Sequence, residues 1–259
     1  MLVLITDIRN AGTNMQLEAT LSHYSPGSDP VGFRLLRRLL GNSPQFAFLD
    51  EHAPNRAEAE TYIANCFARA YGARVTQFAP MLLGLRCAGS LQAVIGLREA
   101  ATEHLFLEQY LDAPVERTLA ATLGHNVARN EIMELGNLAS LHPGVCQLVY
   151  LVLASALQRA GYRYGIFAGT SQVQRIVGKL HFDFDIIRPA DPARLGSAAR
   201  NWGTYYATDP QVLVVDLHNS LPKLHDNLLA AAVLEIYSDQ IDTLVNELRL
   251  RRQRVLAMA

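Results

Sequence analysis

The sequence predicts an α/β fold, mixed α+β in its pairing: a central twisted mixed β-sheet flanked by helices, with an extension before it and a long helix after it. Three observations carry that expectation. Residues 81–87 and 91–98 are apolar runs joined by Ala88-Gly89-Ser90, a hairpin signature. The runs 131–138 and 162–168 are each followed by a helical pattern, at 145–160 and 172–180, and such strand–helix units favour parallel pairing. Tyr62, Ile63, Cys66, Phe67 and Ala70 recur at helical spacing, giving one apolar face for a sheet to bury.

Taken in order, residues 10–30 are rich in Asn, Gly, Ser, Thr and Pro and read as a loosely ordered extension; 33–40 read as a short basic amphipathic turn or helix. A brief strand at 46–50 opens the domain. Asn55 can cap the helix that follows, acids sit in its first turn, and Gly72 ends it. After the hairpin come two short helical patterns, 105–110 and 115–124. The 131–138 strand leads through His142-Pro143-Gly144 into the 145–160 helix, which Gly161 terminates. Thr170 or Ser171 caps 172–180, and strands follow at 181–187 and 212–217. The stretch 224–255 reads as one long helix with Leu228, Leu229, Ala232, Val233, Ile236, Leu244, Val245 and Leu248 on its apolar face. Its basic end, 249–254, either answers the helix dipole on a solvated face or docks an acidic partner. The expected division is an extension over 1–45, one domain over 46–217 and a helical extension over 218–259, the last able to pair with a second copy as a homodimer.

Composition bounds the function. A chain of 259 residues, 50% hydrophobic and 18% charged, has enough apolar material for one large core with appendages. A net charge of −1 gives no basic field for nucleic acid. The three cysteines, Cys66, Cys87 and Cys146, form no C-x-x-C pair, so no metal site and no disulfide framework is expected. They read as small buried hydrophobes in a reducing compartment, with Cys146 a nucleophile only if a base were paired with it. Residues 1–7 lack the charged and long apolar regions of a signal peptide, and 145–160 is too short for a membrane span and holds Gln147 and Gln158. These features lead to the expectation of a soluble, cytoplasmic protein.

The most informative stretch is Glu131-Ile132-Met133-Glu134-Leu135-Gly136-Asn137-Leu138-Ala139-Ser140. It is a strand carrying acid and amide groups where apolar residues would suffice. With period two, Ile132, Glu134, Gly136 and Leu138 point one way and Glu131, Met133, Leu135 and Asn137 the other. A carboxylate on an interior strand costs several kcal/mol unless it is paired or used. Glu134 is therefore either the partner of a nearby arginine or a working group.

The element order is similar to the N-acetyltransferase (GNAT) fold that acyl-homoserine-lactone synthases share. Gly96-Leu97-Arg98-Glu99-Ala100, Leu105-Phe106-Leu107-Glu108-Gln109-Tyr110-Leu111, Glu134-Leu135-Gly136-Asn137-Leu138-Ala139 and Trp202-Gly203-Thr204-Tyr205-Tyr206 together resemble the thermostable hemolysin family, over roughly 46–217. The resemblance implies an N-acyltransferase that moves a fatty acyl group from a phosphopantetheine thioester to a small, amino-acid-like amine. The donor, coenzyme A or an acyl carrier protein, is a co-substrate, and no tightly bound cofactor is implied. Two central strands, 133–138 and 164–168, splay so that the pantetheine arm lies between them like an added strand. A backbone N–H near Leu135 or Gly136 would polarise the thioester carbonyl. The family's pyrophosphate turn corresponds to Ser140-Leu141-His142-Pro143-Gly144, which has one glycine and no arginine, so a carrier-protein donor is favoured.

Roles follow from the same resemblance. Glu134 is the candidate base or amine binder. Asn137 orients substrate or caps the next helix, and Arg98 binds an acceptor carboxylate or pairs with Glu99, Glu103 or Glu134. Arg129 is a second cation for that task. Glu108 and Tyr110 lie on the segment covering the acceptor side, with Glu108 otherwise a solvated helix acid. Where relatives carry a tyrosine acid this chain has His181, a candidate proton donor or else a helix cap. Tyr205 and Tyr206 line the acyl pocket or pack in the core; its depth depends on residues such as Leu148, Leu151, Val152 and Phe167. The alternatives are an autoinducer-synthase-like enzyme using S-adenosylmethionine, a catalytically dead carrier-binding scaffold, and a membrane-lytic factor. The single Trp, Trp202, counts against the first; the basic final helix is the one feature favouring the last.

Overall fold

The computed structural model describes residues 2–4, 44–140, 142–224 and 227–258. The hairpin is its organising element. β3 (Met81–Cys87) and β4 (Ser90–Glu99) turn at Ala88 and Gly89, both at positive φ (49° and 79°), as a two-residue hairpin loop requires. β2 (Gln45–Leu49) pairs antiparallel with β3, and β5 (Ile132–Ser140) antiparallel with β4. β6 (Tyr164–Gly169) then joins β5 in parallel, but only over Ile132–Glu134. β7 (Phe184–Pro189) and β8 (Gln211–Asp216) complete the order β2-β3-β4-β5-β6-β8-β7. β1 (Leu2–Leu4) lies off this path, parallel to the far half of β5.

Two expectations change here. The second strand–helix unit does not extend a parallel sheet: β8 inserts between β6 and β7, antiparallel to both. The chain gains the reach to do so from two 3₁₀ segments, Pro192–Trp202 and Tyr205–Thr208, for which the sequence offers no periodic signal. The stretch 1–45 contributes a strand to the sheet through Leu2–Leu4, so it is not wholly an appendage. The expected basic turn at 33–40 lies outside the described residues.

The helices divide between the faces. α1 (Arg56–Tyr71) and α2 (Val115–Leu123) cover one, where Ile63, Phe67, Leu82, Val94, Ile132 and Ile166 form a core. Gly72 ends α1 in the left-handed region as expected, but Asn55 makes no side-chain cap; the entry is held by Arg56, which donates to the carbonyls of Leu49, Ala79 and Pro80. α3 (Pro143–Arg159) and α4 (Ser171–Lys179) cover the other face, over Leu83, Ile95, Met133, Leu135 and Leu213. Thr170 caps α4 by accepting from the Val173 N–H.

The expected single helix over 224–255 is two, α6 (Leu228–Ile236) and α7 (Ser238–Met258), and a further helix, α5 (Leu217–Leu224), precedes them. Pro222 sits within α5, and Asn227 starts α6 afresh by accepting from the Ala230 N–H at 3.2 Å. The basic end of α7 serves the body of the protein. Arg249 and Arg252 donate to the carbonyls of Arg159 and Ala160 at the end of α3, and Arg252 lies 5.2 Å over the Tyr162 ring. Arg251 pairs with Asp50. Gly161 makes this docking possible: its φ is 95°, and a Cβ there would stand 2.1 Å from an Arg252 nitrogen. Gly161→Ala is expected to lower stability by about 1–3 kcal/mol in urea unfolding.

Candidate active site

β5 carries the irregularity that builds the site. Val94 is opposite Ala139 and Gly96 opposite Gly136, so β5 spends one residue more than β4 between these pairs. The extra residue is taken up at Asn137, whose φ is 48°. Met133 and Leu135 face the α3 side; past the bulge the sides exchange, so that Leu138 faces α3 and Ala139 faces α1. Strict alternation would have put Asn137 and Glu134 on opposite faces. The bulge overturns that expectation, and both line one cavity of about 240 Å³, with Gln77, Phe78, Arg98, Phe106 and Trp202 among its walls. Gly96 is required opposite the bulge, because a Cβ would stand 2.7 Å from Ala79 Cβ and 3.0 Å from Asn137 Oδ1. Asn137 Oδ1 accepts from the Ala79 N–H at 2.9 Å, which ties the 77–79 loop to the cavity rather than capping α3.

Glu134 is the buried acid of this cavity. Its two carboxylate oxygens accept the N–H groups of Leu107 and Phe106, each at 2.9 Å, and Arg98 Nε lies 3.6 Å away. Burial pushes its pKa above the usual carboxylate range, and the Phe106 N–H, the Arg98 guanidinium and the Leu107 N–H oppose that rise. Arg98 also bridges Glu103 at 3.1 Å, so a cation and a basic carboxylate meet on one wall.

Behind this wall is a second charged group that the sequence associated with substrate. Glu108 is buried and accepts from the N–H groups of Leu105 at 2.8 Å and Val115 at 2.9 Å. Arg129 clasps both of its oxygens, at 2.7 and 2.9 Å, and also bonds Glu116 and the carbonyls of Ala100 and Glu103. Burial works against ionisation of Glu108, but Arg129 and the two N–H groups prevail and hold its pKa down to about 2. Neither residue lines the cavity. Together they brace the Phe106–Tyr110 turn that offers its N–H groups to Glu134. Tyr110 and Tyr206 hydroxyls pair at 2.5 Å, and the Tyr205 hydroxyl donates to the Ala168 carbonyl. Tyr205 is core, stacked edge-on with Tyr71 and Tyr206. These three tyrosines support the wall on which Trp202 sits.

On the α3 face, Leu135, Tyr150, Leu153, Ala154, Leu157, Gly165 and Phe167 surround an apolar cleft of about 30 Å³. Of the residues expected to set its depth only Phe167 lines it; the helix phase presents 150, 153, 154 and 157, leaving Leu148, Leu151 and Val152 buried elsewhere. Tyr205 and Tyr206 do not line it either. Leu135 lines the cleft while its neighbours Glu134 and Gly136 line the polar cavity, so the two spaces lie on opposite faces of the sheet at the same point of β5, where its pairing with β6 ends.

The remaining candidates lie apart. His181 is exposed at φ 58° in the turn after α4 and lines neither space, because α4 ends two residues before it and the chain must reverse into β7. Ser140 is buried at the end of β5 and bonds to the His142 carbonyl; Gly144 lies in the first turn of α3. Burial raises the Cys146 thiol to about 12, leaving it without the thiolate a nucleophile needs. Gln77, Phe78 and His104 enter the site from loops with no sequence signal beyond position.

A family model described as thermostable hemolysin matches residues 49–221. No curated protein matches the sequence. Among solved structures, TofI in an apo form is similar at 14% identity, covering 70% of this chain and 96% of that one, with a TM-score of 0.50; the two share a fold. The acyl-homoserine-lactone (AHL) synthase LasI aligns at 11% identity over 67% of this chain and 89% of its own, with a TM-score of 0.47. FeeM, an N-acyl amino acid synthase from uncultured soil microbes, aligns at 13% over 68% and 92%, also at 0.47.

Proposed function

The chain belongs to the thermostable hemolysin family, and we propose that it is an acyltransferase moving a fatty acyl group from a phosphopantetheine thioester to the amine of a small, amino-acid-like acceptor. One observation supports the reading: a polar cavity with a buried carboxylate and an apolar cleft lie on opposite faces of the sheet, beside the point where β5 and β6 separate. The cleft offers the apolar lining an acyl chain needs and must widen to take one, the open edge of β5 suits the extended donor arm, and the cavity suits the acceptor.

In this reading Arg98 receives the acceptor carboxylate and Glu134 takes a proton from its ammonium group. The freed amine attacks the thioester carbonyl; the C–N bond forms, the C–S bond breaks, and the sulfur leaves with its electron pair and takes up the second proton that the nitrogen sheds as the amide forms. The thiolate leaves readily enough to need no protein acid, which fits the remote position of His181. A backbone N–H at Leu135 or Gly136 is the candidate donor to the carbonyl oxygen. The turn at 140–144, with Pro143 lacking an N–H and one glycine, favours a carrier protein over coenzyme A as the donor. The lytic reading has less support: among the described residues no helix is long and apolar enough to cross a membrane, and three arginines of α7 are bonded to the body of the protein.

Mass spectrometry of the protein with acyl carrier protein or acyl-coenzyme A, against a pool of amino acids, small amines and S-adenosylmethionine, tests the reading. A new N-acyl product supports it; a folded protein that yields none with either donor sinks it. The cleft gives a sharper form of the test. Ala154→Phe fills it and is expected to cut turnover of an eight-carbon donor about tenfold or more while sparing an acetyl donor. Equal effects on both donors would place the chain elsewhere.

A further inference from the structure

β1 has no role in closing the sheet, yet it occupies a defined place in it. β5 and β6 pair through Glu134 opposite Ile166 and then separate. Past the bulge, the edge of β5 that the separation exposes is taken by Leu2–Leu4, with Leu2 opposite Leu138, Val3 opposite Ala139 and Leu4 opposite Ser140. The short strand also lies against β6, α1 and α4, so it sits within the gap rather than on the sheet's rim. Its pairing covers three residues, and such a ladder is weak compared with the hairpins around it.

The gap also contains a polar group that this occupant leaves unused. Tyr150 packs beside Leu135, Gly165 and Phe167, at the foot of the gap, and its hydroxyl is buried with no hydrogen-bond partner among the described residues. A buried hydroxyl left unpaired is destabilising, and a phenylalanine would avoid that cost. Nearby, the Cys146 thiol is hydrogen-bonded to Ser140, the residue opposite Leu4. The gap is thus lined for a ligand with polar atoms along an extended chain.

We infer that Leu2–Leu4 is a displaceable occupant of the donor slot, so that this strand and the donor arm exclude one another. The inference rests on the acyl-transfer reading above, and adds to it a built-in competitor. The chemistry of the two occupants is the same: a peptide strand and a phosphopantetheine arm are both extended chains whose amides pair with an open strand edge. With the slot closed for a fraction of the time, the donor's apparent affinity falls by the fraction that is open. Donor entry frees residues 2–4, and the Tyr150 hydroxyl becomes available to the arm that replaces them.

A reversible staple tests this. Val3→Cys with Ala139→Cys places two thiols on directly opposed positions of neighbouring strands, whose spacing of about 4.8 Å lies within disulfide range. The native thiols Cys66, Cys87 and Cys146 are all buried with raised pKa values, so they compete poorly for the bridge. The probe is S-octanoyl-phosphopantetheine, with binding measured by calorimetry and disulfide formation by intact mass. The oxidised variant is expected to bind at least about tenfold more weakly than the same protein after reduction. Val3→Pro, which breaks the strand without a crosslink, is expected to bind more tightly than wild type. Equal binding before and after reduction, with the bridge formed, overturns the competition and leaves the transferase reading standing. If the bridge does not form, unchanged binding in Val3→Pro overturns it. Absence of binding by wild type, reduced variant and Val3→Pro alike removes the donor slot, and both readings with it.

Discussion

Glu134→Ala lowers kcat/KM for acyl transfer by about 10²–10⁴-fold, the range expected when a positioned base is removed. The loss has two sources that further variants separate. The carboxylate accepts two backbone N–H groups of the 106–110 turn, so alanine also loosens the cavity wall. Glu134→Gln keeps an oxygen for one of those N–H groups and cannot take a proton. If the acid acts only as a brace, Gln recovers most of the activity; if it acts as a base, Gln stays near the alanine level. The pH profile gives an independent reading. Burial raises the Glu134 pKa, so the active, ionised form is gained only as pH rises above the ordinary value of 4.5. The acid limb of kcat/KM should therefore lie above 4.5 in wild type and vanish in Glu134→Gln.

Glu108→Ala is expected to cost about 3–5 kcal/mol of stability, measured by urea unfolding, because it leaves the Arg129 guanidinium without its main partner and two N–H groups without an acceptor. Its pH signature is opposite in sign to that of Glu134. The folded pKa of about 2 lies below the unfolded value of 4.5, so the stabilisation is fully present above 4.5 and is lost as pH falls toward 2. Wild type should lose stability through this window more steeply than Glu108→Gln, and parallel acid transitions would show that the acid contributes little.

Most of the sheet and the flanking helices were legible in the sequence because their signals are local. The hairpin announced itself through Ala88-Gly89, the first helix through its apolar stripe and Gly72, and the third through Gly161. Glu134, Gly136, Asn137 and Arg98 were found because polar groups on an interior strand demand a reason. What escaped depends on contacts distant in sequence. Glu108 and Arg129 resemble surface charges until the fold brings them together over 21 residues. The insertion of β8 between β6 and β7 has no local mark. The break at Asn227 was masked by a run of good helix formers on either side. His181 has the chemistry of a proton donor, but the turn after α4 sets it outside both the cavity and the cleft.

The bulge at Asn137 sets the phase of everything after it on β5. Deleting that one residue would restore strict alternation, and Leu138, Ala139 and Ser140 would each turn to the opposite face. The leucine would point toward the acceptor side, and the serine hydroxyl would leave Cys146. Sequence length at this point is therefore a constraint in its own right: β5 should tolerate an exchange of side chains here far better than the gain or loss of a single residue.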